Sequence, residues 1–299
     1  MVRHARQQGL PVHTLAAHKA DPRILPRLIR LIREEGYQVL DTQNIQSKFW
    51  GSLAACQTRT ALVSTLNSWY ASEHNLSLKG RLYLRLELLT NRCLSRYIVV
   101  SERDRRALIR AGISGKKIDL IYNAVDIEPE TISTSRQWLY ETFGLPPDST
   151  VCIAVGRLVP VKGYDVLVQA MHRIGDRVPQ LTCLIIGSGE SEATLRKQIQ
   201  RAGLEKRVRL AGYRERQTVL AALKASDIFV MPSRYEGTPI ALLEAAALGL
   251  PILATDRGGI PELLHHGEHA LLIPADDPDA LAQGLVRLST DCALAQRLG

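Results

Sequence analysis

Between residues 150 and 290, short apolar runs alternate with amphipathic segments at a nearly constant spacing, and that rhythm leaves few folds open. The runs are Val151–Val155, Thr182–Ile186, Val208–Ala211, Asp227–Met231, Ile252–Thr255 and Ala270–Ile273, and several end in Gly, Pro or Ser. The segments between them lie near 163–174, 191–203, 215–225, 239–248, 260–265 and 278–289. Runs without polar alternation predict strands covered on both faces, and strand–helix alternation at this period builds right-handed βαβ units on a parallel sheet. The first half repeats the pattern less cleanly. Its candidate strands are Pro11–Leu15, Gln38–Asp41, Ala61–Leu66, Tyr97–Ser101 and Lys117–Tyr122; its candidate helices lie near 22–35, 46–57, 77–95 and 102–112. The polar stretch EPETISTSRQWLYETFGLPPDST separates the halves. A boundary near 127–150 gives two domains, 1–135 and 146–299, as a chain of 299 residues allows.

Composition narrows the class. No apolar run reaches the roughly 18 residues of a membrane-spanning helix, and MVRHARQQGLPVH has no signal-peptide core. Five scattered cysteines without paired spacing predict reduced thiols and a cytoplasmic location, with no disulfide frame and no zinc site. The sequon Asn75-Leu76-Ser77 is then a chance match. The charge is uneven. Residues 1–130 hold 20 Lys and Arg against 12 Asp and Glu, an excess equal to the whole net charge of +8. Two readings stay open: a solvated basic face, or peripheral contact with an anionic membrane on its inner face near Leu78–Arg96, or with a phosphorylated acceptor. Nothing interleaves basic and aromatic residues as a nucleic-acid surface would, so no nucleic-acid partner is expected.

Three constellations carry chemistry. In VGRLVPVKG, Gly156 follows a strand, Arg157 comes next, and Lys162-Gly163 opens a helix. Loops at the carboxyl ends of parallel strands are where such sheets bind ligands, and an Arg and a Lys there can neutralise a diphosphate. In SRYEGTPIALLEAAALGLP, Thr238 reads as an N-cap and Pro239 as the first helical residue, with Gly249 and Pro251 ending the helix. A helix N-terminus suits phosphate, and Gly237 allows close approach. Glu236 precedes the helix and Glu244 lies within it among apolar neighbours, where a lone carboxylate is costly without a partner or ligand. The glycine turns Gly187-Ser188-Gly189 and Gly258-Gly259 are weaker. A dinucleotide fingerprint would need another Gly at 192, where Glu192 stands. Asp277-Pro278-Asp279 reads as a helix-capping turn, not a metal motif.

GRLVPVKG, GSGE, AGY, MPSRYEGTPIALLEAAALGLPILATDRGGIPELL and GEHALLIPADDPDAL, in that order and spacing, resemble the family-4 glycosyltransferases of the GT-B fold over most of residues 150–290. VVSERDRRALIRAGI and KIDLIYNAVDI extend the resemblance more weakly into the first half. The resemblance implies an α/β chain of two Rossmann-like domains whose parallel sheets face a central cleft. It implies a retaining transfer of sugar from a nucleotide-sugar donor to a glycan or lipid-linked acceptor in cell-surface polysaccharide or glycolipid synthesis. No metal or cofactor is implied, since the nucleotide-sugar is a co-substrate. Arg157 and Lys162 would hold the diphosphate and stabilise the leaving nucleotide, and Glu236 would contact the donor sugar. The backbone of Gly237, Thr238, Pro239 and Ile240 would cradle phosphate and sugar, with Gly156 beside them. Glu244 would bind ribose hydroxyls, and the turn at Tyr213-Arg214 would lie against the base.

Two departures from the family pattern bear on activity. Asn67-Ser68 stands where the family usually has His-Gly, and Asn cannot act as an acid or base. Both ends read as short: the opening strand with its glycine-rich loop is missing, and the chain stops before the usual crossing helix. An inactive donor-binding remnant, or a nucleotide-sugar epimerase of the same architecture, therefore stays beside the transferase reading.

Overall fold

The computed structural model describes residues 5–6, 8–16, 18, 21–67 and 90–299. The chain divides into two compact units. One holds residues up to Ile121 except 101–103; the other holds 101–103 and 122–299. The division at 121/122 lies earlier than the expected 127–150, because the intervening segment carries a helix whose Leu139 and Phe143 are sealed into the second unit's core.

In the first unit the order is α1 (Ile24–Glu35), β1 (Val39–Thr42), α2 (Ile45–Thr58), β2 (Ala61–Leu66), β3 (Leu94–Val99), α3 (Glu102–Arg110, whose first two residues group with the second unit) and β4 (Ile118–Leu120). The four strands are parallel and lie in chain order. Leu62, Leu66, Leu94, Tyr97, Val99 and Leu108 form the core. Asn44 starts α2 by accepting the Ser47 N–H at 2.8 Å while Ser47 Oγ accepts the Asn44 N–H at 3.1 Å, a reciprocal cap. Lys48 lies fully buried on α2, its ammonium donating to Asn91 Oδ1 at 2.7 Å.

Three expectations for this half need correction. Pro11–Leu15 is not a strand. Residues 11–16 have no regular structure, Pro11 has no N–H to give a ladder, and the Leu15 carbonyl accepts instead from Arg27 Nη1 at 2.5 Å. The helix expected over 77–95 falls mostly outside the described residues. Its tail is a 3-10 turn, Thr90–Cys93, followed by β3, which starts at Leu94 because Leu94 is already in the core. The third concerns the thiols. Cys56 on α2 and Cys93 form a disulfide, with Cα atoms 5.6 Å apart. A separation of 37 residues gave no sign of the pairing, which arises because α2 packs on the turn that leads into β3.

The second unit runs α4 (Arg136–Phe143), β5 (Thr150–Val155), α5 (Tyr164–Ile174), β6 (Leu181–Ile186), α6 (Glu192–Arg201), β7 (Val208–Gly212), α7 (Arg216–Lys224), β8 (Ile228–Met231), α8 (Ile240–Ala247), β9 (Ile252–Thr255), α9 (Ile260–Leu263), β10 (Leu271–Ile273), α10 (Pro278–Thr290) and α11 (Cys292–Leu298). All six strands are parallel, in the order β10-β9-β8-β5-β6-β7. Successive residues point to opposite faces. Cys152, Ala154, Cys183, Ile185 and Val230 therefore pack against α5, α6, α10 and α11. Val151, Ile153, Leu184, Phe229 and Met231 pack against α4, α7 and α8. Burial on both faces explains why these strands read as unbroken apolar runs. Arg136 anchors α4 by donating to Asp227 Oδ1 at 2.6 Å, and Asp227 Oδ2 accepts the Val151 N–H at 2.7 Å. Asp277 caps α10 as expected, accepting from the N–H groups of Asp279 and Ala280.

From β5 the chain winds outward through β6 to β7, then returns to the other side of β5 and winds outward through β8, β9 and β10. This is the doubly wound order with one reversal point, between β5 and β8. At a reversal the crossover helices leave on opposite faces of the sheet, so the loops after the two strands diverge and open a crevice.

Candidate active site

Lys162 and Glu236 come from the two loops that flank the reversal point. Lys162 ends the 3-10 turn after β5, and Glu236 lies in the loop after β8. The Lys162 ammonium donates to Glu236 Oε1 at 2.6 Å, and Ser233 Oγ donates to the same oxygen at 2.6 Å. Glu236 is 8 % exposed. Its charge is thus held inside the protein by one cation and one hydroxyl, and the cation in turn is fixed in place beside the end of β5. An ammonium has three donors, so Lys162 can keep Glu236 and still meet an incoming anion.

The two loops are joined rigidly. Arg234 forks onto Asp165 with bonds of 2.9 and 2.7 Å, donates to Asp276 at 2.7 Å, and gives its backbone N–H to the Val161 carbonyl at 2.7 Å. The glycine turns that were weak as ligand motifs prove to be buttresses. A Cβ on Gly187 would lie 1.8 Å from the Gly156 carbonyl oxygen, and one on Gly258 would lie 1.8 Å from that of Glu236. Only glycine permits either approach. The loop after β6 therefore supports Gly156 to Leu158, with Leu158 N–H donating to the Ser188 carbonyl at 2.9 Å; the loop after β9 supports Glu236, with Gly259 N–H donating to its carbonyl at 2.9 Å.

Glu244 is 6 % exposed on α8 and has the partner its burial demands: Arg216 Nε, at the start of α7, donates to Oε1 at 3.2 Å. Two details of α8 differ from expectation. Pro239 is the N-cap, with extended backbone and no capping side chain, and the helix begins at Ile240. Thr238 sits one residue outside, buried, its carbonyl accepting from Asn123 Nδ2 at 2.9 Å. Nor is α8 buried all round, as its apolar residues led one to expect: Ala246 and Ala247 are exposed, and the buried face is Leu242, Glu244 and Ala245. Gly237 is buried and Ile240 exposed.

Arg157 follows Gly156 at the end of β5, exposed and without an ion pair among the described residues. Tyr213 is 71 % exposed in the turn after β7, and Arg214 lies over the Phe143 ring at 5.8 Å. Gly156, Arg157, Lys162, Glu236, Gly237, Thr238, Pro239, Ile240 and the Tyr213-Arg214 turn all stand at the carboxyl edge of one sheet. Among the expected residues, Lys162 and Glu236 are joined by an ion pair. Sequence reasoning missed Arg216, Asn123 and Arg234, each of which acts through a contact distant in the chain, and Ser233, which meets Glu236 from three residues away. Glu262 was missed as well; it accepts the backbone N–H groups of Glu102 and Arg103 at 2.7 and 2.8 Å. Asn67 is exposed, with its amide 3.4 Å from Gln43 Oε1. His265, Glu268 and His269 gather at the surface in the turn before β10. That turn leads into the amino end of its strand, away from the loops described above.

Residues 139–299, more than half of the chain, match the model for glycosyl transferases group 1, and residues 2–129 match that for glycosyltransferase family 4. The chain is 31 % identical over 280 residues to the Escherichia coli UDP-Gal:alpha-D-GlcNAc-diphosphoundecaprenol alpha-1,3-galactosyltransferase, covering 92 % of this chain and 72 % of that one. It is 32 % identical over 216 residues to the Erwinia amylovora amylovoran biosynthesis glycosyltransferase AmsK, covering 70 % of this chain and only 49 % of that one. Among solved structures, Anabaena Alr3699/HepE in complex with UDP-glucose superposes with a TM-score of 0.88 at 24 % identity, over 99 % of this chain and 81 % of that one. By sequence over both halves and by fold, the chain belongs to the family-4, group 1 glycosyl transferases of GT-B architecture.

Proposed function

We propose that the chain carries the donor site of a retaining, metal-independent glycosyltransferase that moves a sugar from a nucleotide-sugar to a glycan or lipid-linked acceptor in cell-surface polysaccharide or glycolipid synthesis. The observation that carries this reading is the Lys162–Glu236 pair at 2.6 Å across the reversal point of the sheet, beside the N-terminus of α8. In the reaction the bond between the anomeric carbon and the diphosphate oxygen breaks, the acceptor oxygen bonds to that carbon, and the acceptor proton is lost. Negative charge collects on the leaving diphosphate. Lys162, Arg157 and the free N–H groups at the start of α8 are positioned to offset it, each such group being worth on the order of 3–4 kcal/mol in the transition state. Glu236 meets the donor sugar and holds Lys162 in place; Glu244 meets the ribose; the exposed Tyr213 ring offers a face to the base. The E. coli relative supports a lipid-linked acceptor, because its name gives a UDP-galactose donor and a diphosphoundecaprenol-linked acceptor. No helix among the described residues is long and apolar enough to cross a membrane. The basic first half is suited to peripheral contact with an anionic membrane.

The test is a panel of UDP-, GDP- and ADP-sugars, read for binding and for transfer to lipid-diphosphate-linked acceptors, with the product's anomeric configuration read by NMR. Transfer with retention supports the proposal. Binding without transfer leaves a donor-binding protein only, and inversion removes the retaining mechanism.

A further inference from the structure

Tyr164 opens α5 two residues after Lys162 and is only 4 % exposed, yet no hydrogen bond reaches its hydroxyl among the described residues. The oxygen is not sealed off. Among the described residues the fully enclosed side-chain oxygens without a partner are those of Ser64, Thr134 and Ser149, so the unpartnered hydroxyl of Tyr164 borders an opening. That opening is beside Gly156: a Cβ there would lie 2.8 Å from the Tyr164 oxygen and 3.6 Å from Cε of Lys162. The glycine's missing side chain therefore leaves a gap at the end of β5 bordered by one neutral donor and by the methylene stem that carries the Lys162 ammonium. Burial, and after it the negative charge of Glu236, push the hydroxyl's pKa up, so it stays a protonated donor. A hydroxyl with no protein partner adds no internal hydrogen bond to the ligand-free fold, and phenylalanine would fill the same space. An unpaired donor aimed at a gap beside a lysine points to an anionic oxygen as its partner, since hydrogen bonds from O–H to a charged oxygen are short and strong.

We propose that the Tyr164 hydroxyl is a further donor to the diphosphate of the sugar nucleotide, acting beside Lys162 in the gap left by Gly156. The inference rests on the donor-site reading above. The test is Tyr164→Phe in the full chain, which removes one oxygen and keeps the ring. Calorimetry with UDP, GDP and ADP should show the wild type binding at least one of them, and the variant binding that nucleotide about tenfold more weakly. The Tm of the ligand-free variant should be unchanged or higher, and its rise on adding the nucleotide smaller. Unchanged affinity in the variant overturns the proposal while leaving the donor site standing. So does a fall in ligand-free Tm that accompanies the lost affinity, because the hydroxyl then serves the fold. A wild type that binds none of the three removes the donor-site reading and this proposal with it.

Discussion

Lys162 and Arg157 carry the same charge at the end of the same strand, but their surroundings differ, and so should the cost of losing them. Either change to Ala is expected to lower kcat by a factor of roughly 100 to 1,000, because the lost stabilisation, about 2.7–4 kcal/mol, falls on the transition state. Lys162→Ala also leaves Glu236 inside the protein with only Ser233 as partner. It should therefore cost about 3 kcal/mol of stability, the lower end for a buried pair that loses one member. Arg157→Ala, at an exposed and unpaired position, should leave the urea midpoint where it is. Equal stability of the two variants would contradict the buried pair. A similar asymmetry is expected at the ribose position. Glu244→Ala should raise donor KM with little change in kcat, since a ribose contact is present in both ground and transition states. Arg216→Ala should be the more destabilising of the two, by about 1–3 kcal/mol in urea titrations, because it strips the cation from a buried carboxylate while the reverse change frees an exposed arginine.

Loops, rather than helices or strands, set the precision of the site. The loops after β5 and β8 bear the charged groups; those after β6 and β9 contribute no side chain to them and instead press glycine against their backbones. Gly258→Ala should therefore damage the site from outside it. The Cβ would collide with the Glu236 carbonyl, and relief by moving the loop after β8 would displace Glu236 and Lys162 together. A loss of about 2–4 kcal/mol in stability is expected from the strained backbone and the overpacking combined, with donor affinity reduced in whatever fraction stays folded. Normal affinity and stability in Gly258→Ala would show that the buttress is dispensable. Gly267, in the exposed turn before β10, has the same left-handed backbone but open space around it. Gly267→Ala should cost only about 1 kcal/mol, and it serves as the control.

At the scale of the molecule, the basic excess in the first half and the neutral second half predict that binding to anionic vesicles follows residues 1–130 and weakens as salt rises; equal partition onto neutral and anionic vesicles at low salt would contradict it. A chelator should leave turnover unchanged, and strong sensitivity to one would overturn the metal-independent mechanism. Much of this was legible in the sequence by itself. Strands buried on both faces must be apolar throughout, so β5, β6, β8 and β9 showed as unbroken runs, and residues 150–290 could be read as βα units before any coordinates. The residue types at the strand ends were legible for the same local reason: a loop that follows a strand keeps its place in the chain. What the sequence could not determine is which strand lies beside which. Only the tertiary structure put β8 against β5 and so set Glu236 on Lys162; it alone likewise set Arg216 on Glu244, Gly258 under Glu236 and Cys56 on Cys93. Each of these contacts joins residues many positions apart, brought together by the order of the sheet and the packing of its covering helices, and no local pattern encodes a partner that distance in the chain conceals.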